Sequence, residues 1–396
     1  TIENAAPVVG SLDVAPGTVT RPGNLTLTAS GVSDADGTVS RVEFYRGAVL
    51  LGTDENGADG WGITVDTAGW TLGVQNLSAR ARDNDGAWSE LAGTSVTIEN
   101  AAPVVGSLDV APGTVTRPGN LALTAGGVSD ADGTVSRVEF YRGAVLLGTD
   151  ENGADGWGIT VDTAGWTLGV QNLSARARDN DGAWSELAGT SVTIENAAPV
   201  VGSLGVEPGT VTRPGNLTLT AGGVSDADGT VSRVEFYRDE ELLGVDENGA
   251  DGWGITVDTA NWTLGVQNLS ARARDNDGAW SELAGTTVTI ENAAPVVGSL
   301  DVAPGTVTRP GNLTLTASGV SDADGTVSRV EFYRGAVLLG TDENGADGWG
   351  ITVDTAGWTL GVQNLSARAR DNDGAWSELA GTSVTIENAA PVVGSL

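Results

Sequence analysis

The sequence predicts an all-β protein of four tandem, seven-stranded β-sandwich domains arranged head to tail. Three observations lead there. The 396 residues repeat with a period of 96, and Thr-Ile-Glu-Asn begins at Thr1, Thr97, Thr193, Thr289 and Thr385. Within each period, apolar and polar residues alternate in short runs, broken by Gly, Pro, Asn and Asp at roughly 10–12-residue spacing, which is the pattern of strands and turns. Hydrophobic residues make up 40% of the chain, enough for folded cores. A 96-residue unit can bury a core of its own, so separate domains are expected rather than one continuous solenoid. The domains read as residues 1–96, 97–192, 193–288 and 289–384, with 385–396 opening a fifth copy. The chain starts and stops inside the same linker, which reads as an excerpt of a longer array. Copies one and four are identical. The second departs at Ala122 and Gly126, and the third at nine positions, three of them the consecutive Asp239, Glu240 and Glu241.

In the first copy, residues 7–14 read as the first strand, with Val8, Leu12 and Val14 on one face. Pro16-Gly17 and Pro22-Gly23 bracket a turn region. Leu25, Leu27 and Ala29 alternate with Thr26 and Thr28, a half-buried second strand. Residues 39–46 form the third, with Val42 and Phe44 inward, and 48–51 the fourth. Trp61, Ile63 and Val65 alternate in the fifth, Leu77, Ala79 and Ala81 in the sixth, and residues 88–98 close the domain. Acidic loops fall between them at 33–37, 54–60 and 83–86. No window carries a helical period.

Missing residue types exclude whole chemistries. There is no Cys, His or Met, and all 20 cations are Arg. Thiol chemistry, disulfides, the usual general base and Schiff bases are therefore absent. So are Lys–Asn isopeptide staples. The net charge of −32 makes nucleic acid an unsuitable partner, since phosphate binding needs basic patches. No apolar run is long enough to span a membrane. The carboxylates sit in Gly-rich turns copied fourfold, with no apolar pocket to raise one pKa, so the chain does not read as an enzyme.

Seven short strands per copy suit a sandwich of immunoglobulin type, without the Cys–Trp–Cys signature of antibody domains. The sequence resembles the bacterial Ig-like modules found in tandem in long secreted and surface proteins. The carriers are Asn4-Ala5-Ala6-Pro7, Val32-Ser33-Asp34-Ala35-Asp36-Gly37-Thr38-Val39, Val42-Glu43-Phe44-Tyr45, Val65-Asp66-Thr67 and residues 79–87 (ARARDNDGA). The resemblance covers the whole repeat. It implies an extracellular or cell-surface role as the extender of an adhesin, a fibre, or a spacer beside carbohydrate-active domains. It also implies calcium at acidic loops and domain junctions. Trp61, Trp70 and Trp88 stand where smaller or Tyr-like residues are expected.

With up-and-down strand order, all three acidic loops fall at the leading pole of the sandwich, near Glu3 and Asn4. Carboxylates with backbone and Asn carbonyls make the ligand set of a hard cation, calcium above all. No loop is an EF-hand. The expected ligands are Asp34, Asp36, Asp54, Asp59, Asp83 and Asp85. Their counterparts are Asp130, Asp132, Asp150, Asp155, Asp179 and Asp181 in the second copy. The third copy has Asp226, Asp228, Asp246, Asp251, Asp275 and Asp277, and the fourth Asp322, Asp324, Asp342, Asp347, Asp371 and Asp373. Singly, each loop also fits ordinary turn chemistry. Arg21 and Arg46 are expected at the trailing pole, facing the next acidic pole, so that Arg–carboxylate pairs and calcium stiffen the junctions into a rod.

The expected function is thus structural, an extended rod or fibre whose partners are neighbouring repeats and other copies of the chain. The alternative is a multivalent array binding carbohydrate or another surface through exposed Trp. Trp61 is expected in the core, while Trp70 and Trp88 could cap it, pack on a neighbour or present a sugar platform. Asn24 and Asn76 begin glycosylation-type triplets, the first lost in copy two through Ala122.

Overall fold

The computed structural model describes residues 3–392; residues 1, 2 and 393–396, at the two ends of the expected domain series, lie outside the described residues. The chain divides into two units, Thr1–Asn196 and Ala197–Leu396, each holding two sandwiches. The first sandwich comprises β1 (Ser11–Ala15), β2 (Thr18–Thr20), β3 (Asn24–Ser30), β4 (Val39–Arg46), β5 (Val49–Asp54), β6 (Trp61–Asp66), β7 (Gly73–Asp83) and β8 (Ala92–Glu99). The other three carry the same strands at their counterpart positions, and the same labels serve for them. One sheet runs β1-β3-β6 and the other β2-β8-β7-β4-β5.

Side-chain alternation fixes which face of each strand is buried. In β3, Leu25, Leu27 and Ala29 point inward while the intervening residues are exposed, as expected. Across the sandwich, Val42 and Phe44 of β4 meet Leu77, Ala79 and Ala81 of β7 and Val96 and Ile98 of β8 in one core. Trp70 is buried in that core, and Trp61 packs against it partly exposed. Each of the four sandwiches has its own equivalent core.

Three local expectations change. An eighth strand, β2, occupies the region read as a turn; Val19 is buried, and β2 pairs in parallel with β8, Thr18 opposite Thr97 and Thr20 opposite Glu99. Three residues between two Pro-Gly pairs are too few to show a period. Val8 is 56% exposed rather than inward, because it bridges Ser33 at the rim before β1 begins. Trp88 bridges Arg82 outside β8 instead of starting it. The sequence period boundary between residues 96 and 97 falls inside β8.

The third sandwich departs at the β4–β5 turn. Asp239 stands where the others have glycine and is the one non-glycine residue with positive φ among the described residues, at 49°. That left-handed conformation brings Cβ against the backbone. A hydrogen bond from Asn268 Nδ2 to Asp239 Oδ1 at 3.1 Å offsets part of the cost. Asp239→Gly is expected to stabilise this sandwich by about 0.5–1 kcal/mol. Urea unfolding of the full chain measures it, and a loss of stability would contradict the strain.

Candidate functional site

The leading pole gathers the acids of two loops. β4 begins beside the end of β7, Val39 opposite Asp83, so the loop before β4 meets the loop after β7. Asp83 is buried. Its Oδ1 accepts the N–H groups of Asp85, Gly86 and Ala87 at 2.9, 2.5 and 2.8 Å, and Oδ2 accepts Asn4 Nδ2 at 2.9 Å. The Asn4 bond, with those N–H groups, outweighs burial and holds this carboxyl below the usual range. Asp36 accepts the N–H of Ala5 at 3.0 Å, tying the linker to the same pole.

Asp34 has no such partners. Both its oxygens are buried without a hydrogen bond. Gly37 fits against it only because it lacks a Cβ, which would stand 2.5 Å from Asp34 Oδ2 and from Asn84 Oδ1. Asp322 repeats this condition with both oxygens, and Asp130 and Asp226 with Oδ2 alone. Burial raises the pKa of Asp130, and repulsion from Asp132 and Asp179 adds to it. Burial likewise raises Asp226 and Asp322, with Asp324 and Asp371 repelling the latter. Asn100 Oδ1, Asp130 Oδ2, Asn292 Oδ1, both oxygens of Asp322 and Asp324 Oδ1 are also buried without hydrogen bonds. These are hard oxygen donors, the chemistry calcium requires. Among the described residues, however, no three acids converge closely enough to hold a metal by themselves.

Within each unit this pole receives an arginine from the preceding sandwich. Arg21, just past β2, pairs through Nε with Asp132 Oδ2 at 2.6 Å and through Nη2 with Asp181 Oδ2 at 2.9 Å. Its Nη1 donates to the Trp70 carbonyl at 2.7 Å. The Asp132 side chain is 0% exposed and that of Arg21 14%. The hydrogen bond to Asp132 raises the Arg21 pKa against burial. Arg213 repeats the clasp on Asp324 at 2.7 Å and Asp373 at 3.2 Å. Burial opposes the charge of Asp324, but Arg213 and the Ala293 N–H hold its carboxyl below the usual range. Arg46 lies at the trailing pole as expected, beside Arg21 at Trp70, but its guanidinium stacks over the Trp70 ring at 4.6 Å.

Asp54 and Asp59 behave differently. Asp54 gives both oxygens to its own loop, accepting Asn56 N at 2.9 Å and Gly62 N at 2.7 Å, while Asp59 accepts Asn56 Nδ2 at 2.9 Å. A single 3-10 turn, Gly57–Asp59, closes there. Asp150 and Asp155, Asp246 and Asp251, and Asp342 and Asp347 do the same. This third loop is local turn chemistry, apart from the buried oxygens of the other two.

A second cluster, which the sequence does not announce, covers the outer face of the five-stranded sheet. Cross-strand register sets Glu43 opposite Arg80 and Arg41 opposite Arg82. The guanidiniums of Arg80, Arg41 and Arg82 lie 4.0, 5.2 and 5.5 Å from the Trp88 ring centroid. Glu43 accepts from the Tyr45 hydroxyl and from Arg80 Nη2, and pairs with Arg41 at 3.1 Å. Burial opposes the Glu43 charge, but Tyr45 and the two arginines outweigh it and depress its pKa. A depressed carboxylate contributes stability that is full above its unfolded pKa and is lost as pH falls through the lower folded value. Substituting Gln for Glu43, Glu139, Glu235 and Glu331 together is expected to flatten the acid limb of the stability–pH curve, measured by urea unfolding. An unchanged slope would mean that these pairs contribute nothing.

A family model of the bacterial Ig domain matches residues 7–99, 205–279 and 295–367. No curated protein matches the chain. Similar solved structures include the fibronectin(III)-like modules of CbhA from Clostridium thermocellum, at 22% identity, 47% of this chain, 95% of that chain and TM-score 0.23. Another concerns host cell surface retention of a 1.5-MDa bacterial ice-binding adhesin, at 16% identity, 74% of this chain, 100% of that one and TM-score 0.35. The ICAM-5 D1–D4 ectodomain fragment matches at 14% identity, 95% of this chain and 99% of that chain, with TM-score 0.40. At these TM-scores the likenesses carry no argument about function.

Proposed function

The chain belongs to the bacterial Ig domain family, and we propose that it is a structural repeat region of a bacterial surface protein, in which copy number sets reach and the junctions transmit order. The observation that carries this reading is the arginine clasp. Arg21 and Arg213 spend their guanidiniums on the acids of the next sandwich and on the Trp70 and Trp262 carbonyls. Nothing in such a joint needs a substrate. The tryptophans support the same reading over a sugar platform, since Trp70 is 6% exposed and Trp88 lies beneath three guanidiniums.

Calcium at the leading pole is part of the proposal. Asp34, Asp36, Asp83 and the Asn4 carbonyl, with their counterparts, would supply its oxygens. The ion would neutralise buried carboxylates that repel one another.

The experiment is display on a bacterial surface, with the repeats between an anchor and a small binding head. Accessibility of the head to a large reagent should rise with repeat number, whichever copy is added or removed. Dependence on one particular copy, or saturable binding by the repeats that is lost with Trp88→Ala, would overturn the structural reading.

A further inference from the structure

In all four sandwiches β5 ends the five-stranded sheet, paired with β4 alone. Its outer backbone N–H and C=O groups form an open row, which natural sheets usually guard with Lys, Pro, charge or a cover. Sandwiches one, two and four have no such guard. Val49 and Leu50 are 57% and 50% exposed, Val145 and Leu146 56% and 50%, and Val337 and Leu338 56% and 50%. The flanking residues are Gly and Ala in each. The nearest acid, Asp54, is occupied by its own loop.

Sandwich three is guarded. Asp239, Glu240 and Glu241 replace Gly-Ala-Val, and Glu241 pairs with Arg238. Three of its nine departures thus fall on one turn and edge, while Leu242 beside them stays 50% exposed.

We propose that the β5 edges of sandwiches one, two and four are self-association surfaces whose occupant is the β5 edge of a second copy of this chain. Self-complementarity selects that occupant. Leu50 stands opposite Tyr45, which lines a hollow of about 180 Å³ with Gly47, Ala48, Ser78, Arg80 and Leu91. Knob and hollow lie on one patch, so two copies related by a twofold axis can exchange them while their edges pair antiparallel. The one charged residue lining the patch, Arg80, is paired with Glu43 at 3.0 Å, so on a chain of net charge −32 this is where two copies repel least. A six-residue edge covers only about 200 Å² from strand length and spacing. That is well short of the ~800 Å² each partner gives in a stable pair, so single edges associate weakly and several must act together.

The test grafts the acidic triplet of sandwich three onto the others in the full chain: Gly47→Asp, Ala48→Glu and Val49→Glu, with the same changes at Gly143, Ala144 and Val145 and at Gly335, Ala336 and Val337. Sandwich three folds with this triplet, so the graft preserves the fold. Sedimentation equilibrium should show concentration-dependent association of the native chain, weakened at least about tenfold by the graft. The difference should persist in high salt, where general repulsion is screened. The reverse variant, Asp239→Gly with Glu240→Ala and Glu241→Val, should associate more tightly than the native chain. A native chain that stays monomeric up to about 1 mM, or a graft that associates equally, overturns the proposal.

Discussion

Arg21→Ala is expected to free the second sandwich from the first while both cores stay folded. The Asp132 side chain is 0% exposed, and Arg21 is its charged partner at 2.6 Å. Removing the guanidinium leaves a buried carboxylate with only the weak Ala101 N–H bond at 3.3 Å. Breaking a buried pair from one side costs about 3 kcal/mol at the low end of what such pairs show, the end suited to a joint that water can enter. Three kcal/mol is about a hundredfold in a local opening equilibrium, so amide exchange at Ala101 should quicken by about that factor. Exchange at Leu27, Phe44 and Leu123 in the two cores should not change. Arg21→Lys should recover only part of the protection, because one ammonium cannot hold Asp132, Asp181 and the Trp70 carbonyl in the same fork. Arg213→Ala should act likewise on Asp324 and Asp373. Unchanged exchange at Ala101 would show that the clasp does not hold the joint.

Calcium is expected to raise the melting temperature of the chain, and chelator to lower it. A ligand that binds only the folded state stabilises by about 2.7 kcal/mol at a hundredfold excess over its Kd. For a sandwich of this size that is on the order of 10 °C. The buried acids set the sign of the control. Burial raises the pKa of Asp130, so the folded state holds this proton more tightly than the unfolded chain. The associated stability is full below the unfolded pKa and is lost as pH rises through the raised folded value. Wherever Asp130 is ionised and calcium is absent, its buried charge is therefore a liability. Asp130→Asn should stabilise modestly in chelator, by up to about 1 kcal/mol, and should diminish the calcium response. The same holds for Asp322→Asn. A melting temperature indifferent to calcium removes the ion from the proposal and leaves the arginine clasp untouched.

The parts legible in the sequence were those with a repeating local signal. Leu25, Leu27 and Ala29 announced β3 by strict alternation. Arg21 could be placed opposite the next acidic pole, because strand order alone decides which turns share an end. Arg46 could be placed at the same pole, but not on the Trp70 ring, since that choice depends on a tertiary contact. Asp36 and Asp85 read as metal ligands, but their counterparts Asp132 and Asp181 also anchor Arg21, a role that exists only once two sandwiches meet. Asp54 and Asp59 carry the same residue type as Asp34, yet one is spent on turn geometry and the other left bare. Composition cannot separate these. The Trp88 face needed the β4–β7 register, which sets Arg41 against Arg82 and, 37 residues apart in the chain, Glu43 against Arg80.

The short strand β2 has a mechanical consequence. A repeat tethered at both ends is loaded along its chain, drawn backward at its beginning and forward at its end. Once β1 has peeled away, that tension reaches β2 and β8, which lie parallel with Thr18–Thr20 beside Thr97–Glu99. Two parallel strands pulled in opposite directions slide; they cannot unzip. The flanking bonds, Thr97 N–H to Gly17 O and Arg21 N–H to Glu99 O, both 3.0 Å, would strain at the same moment as those between them. Three residues that leave no period in the sequence would thus bear the load in shear, and the next residue, Arg21, would hand it to the following sandwich.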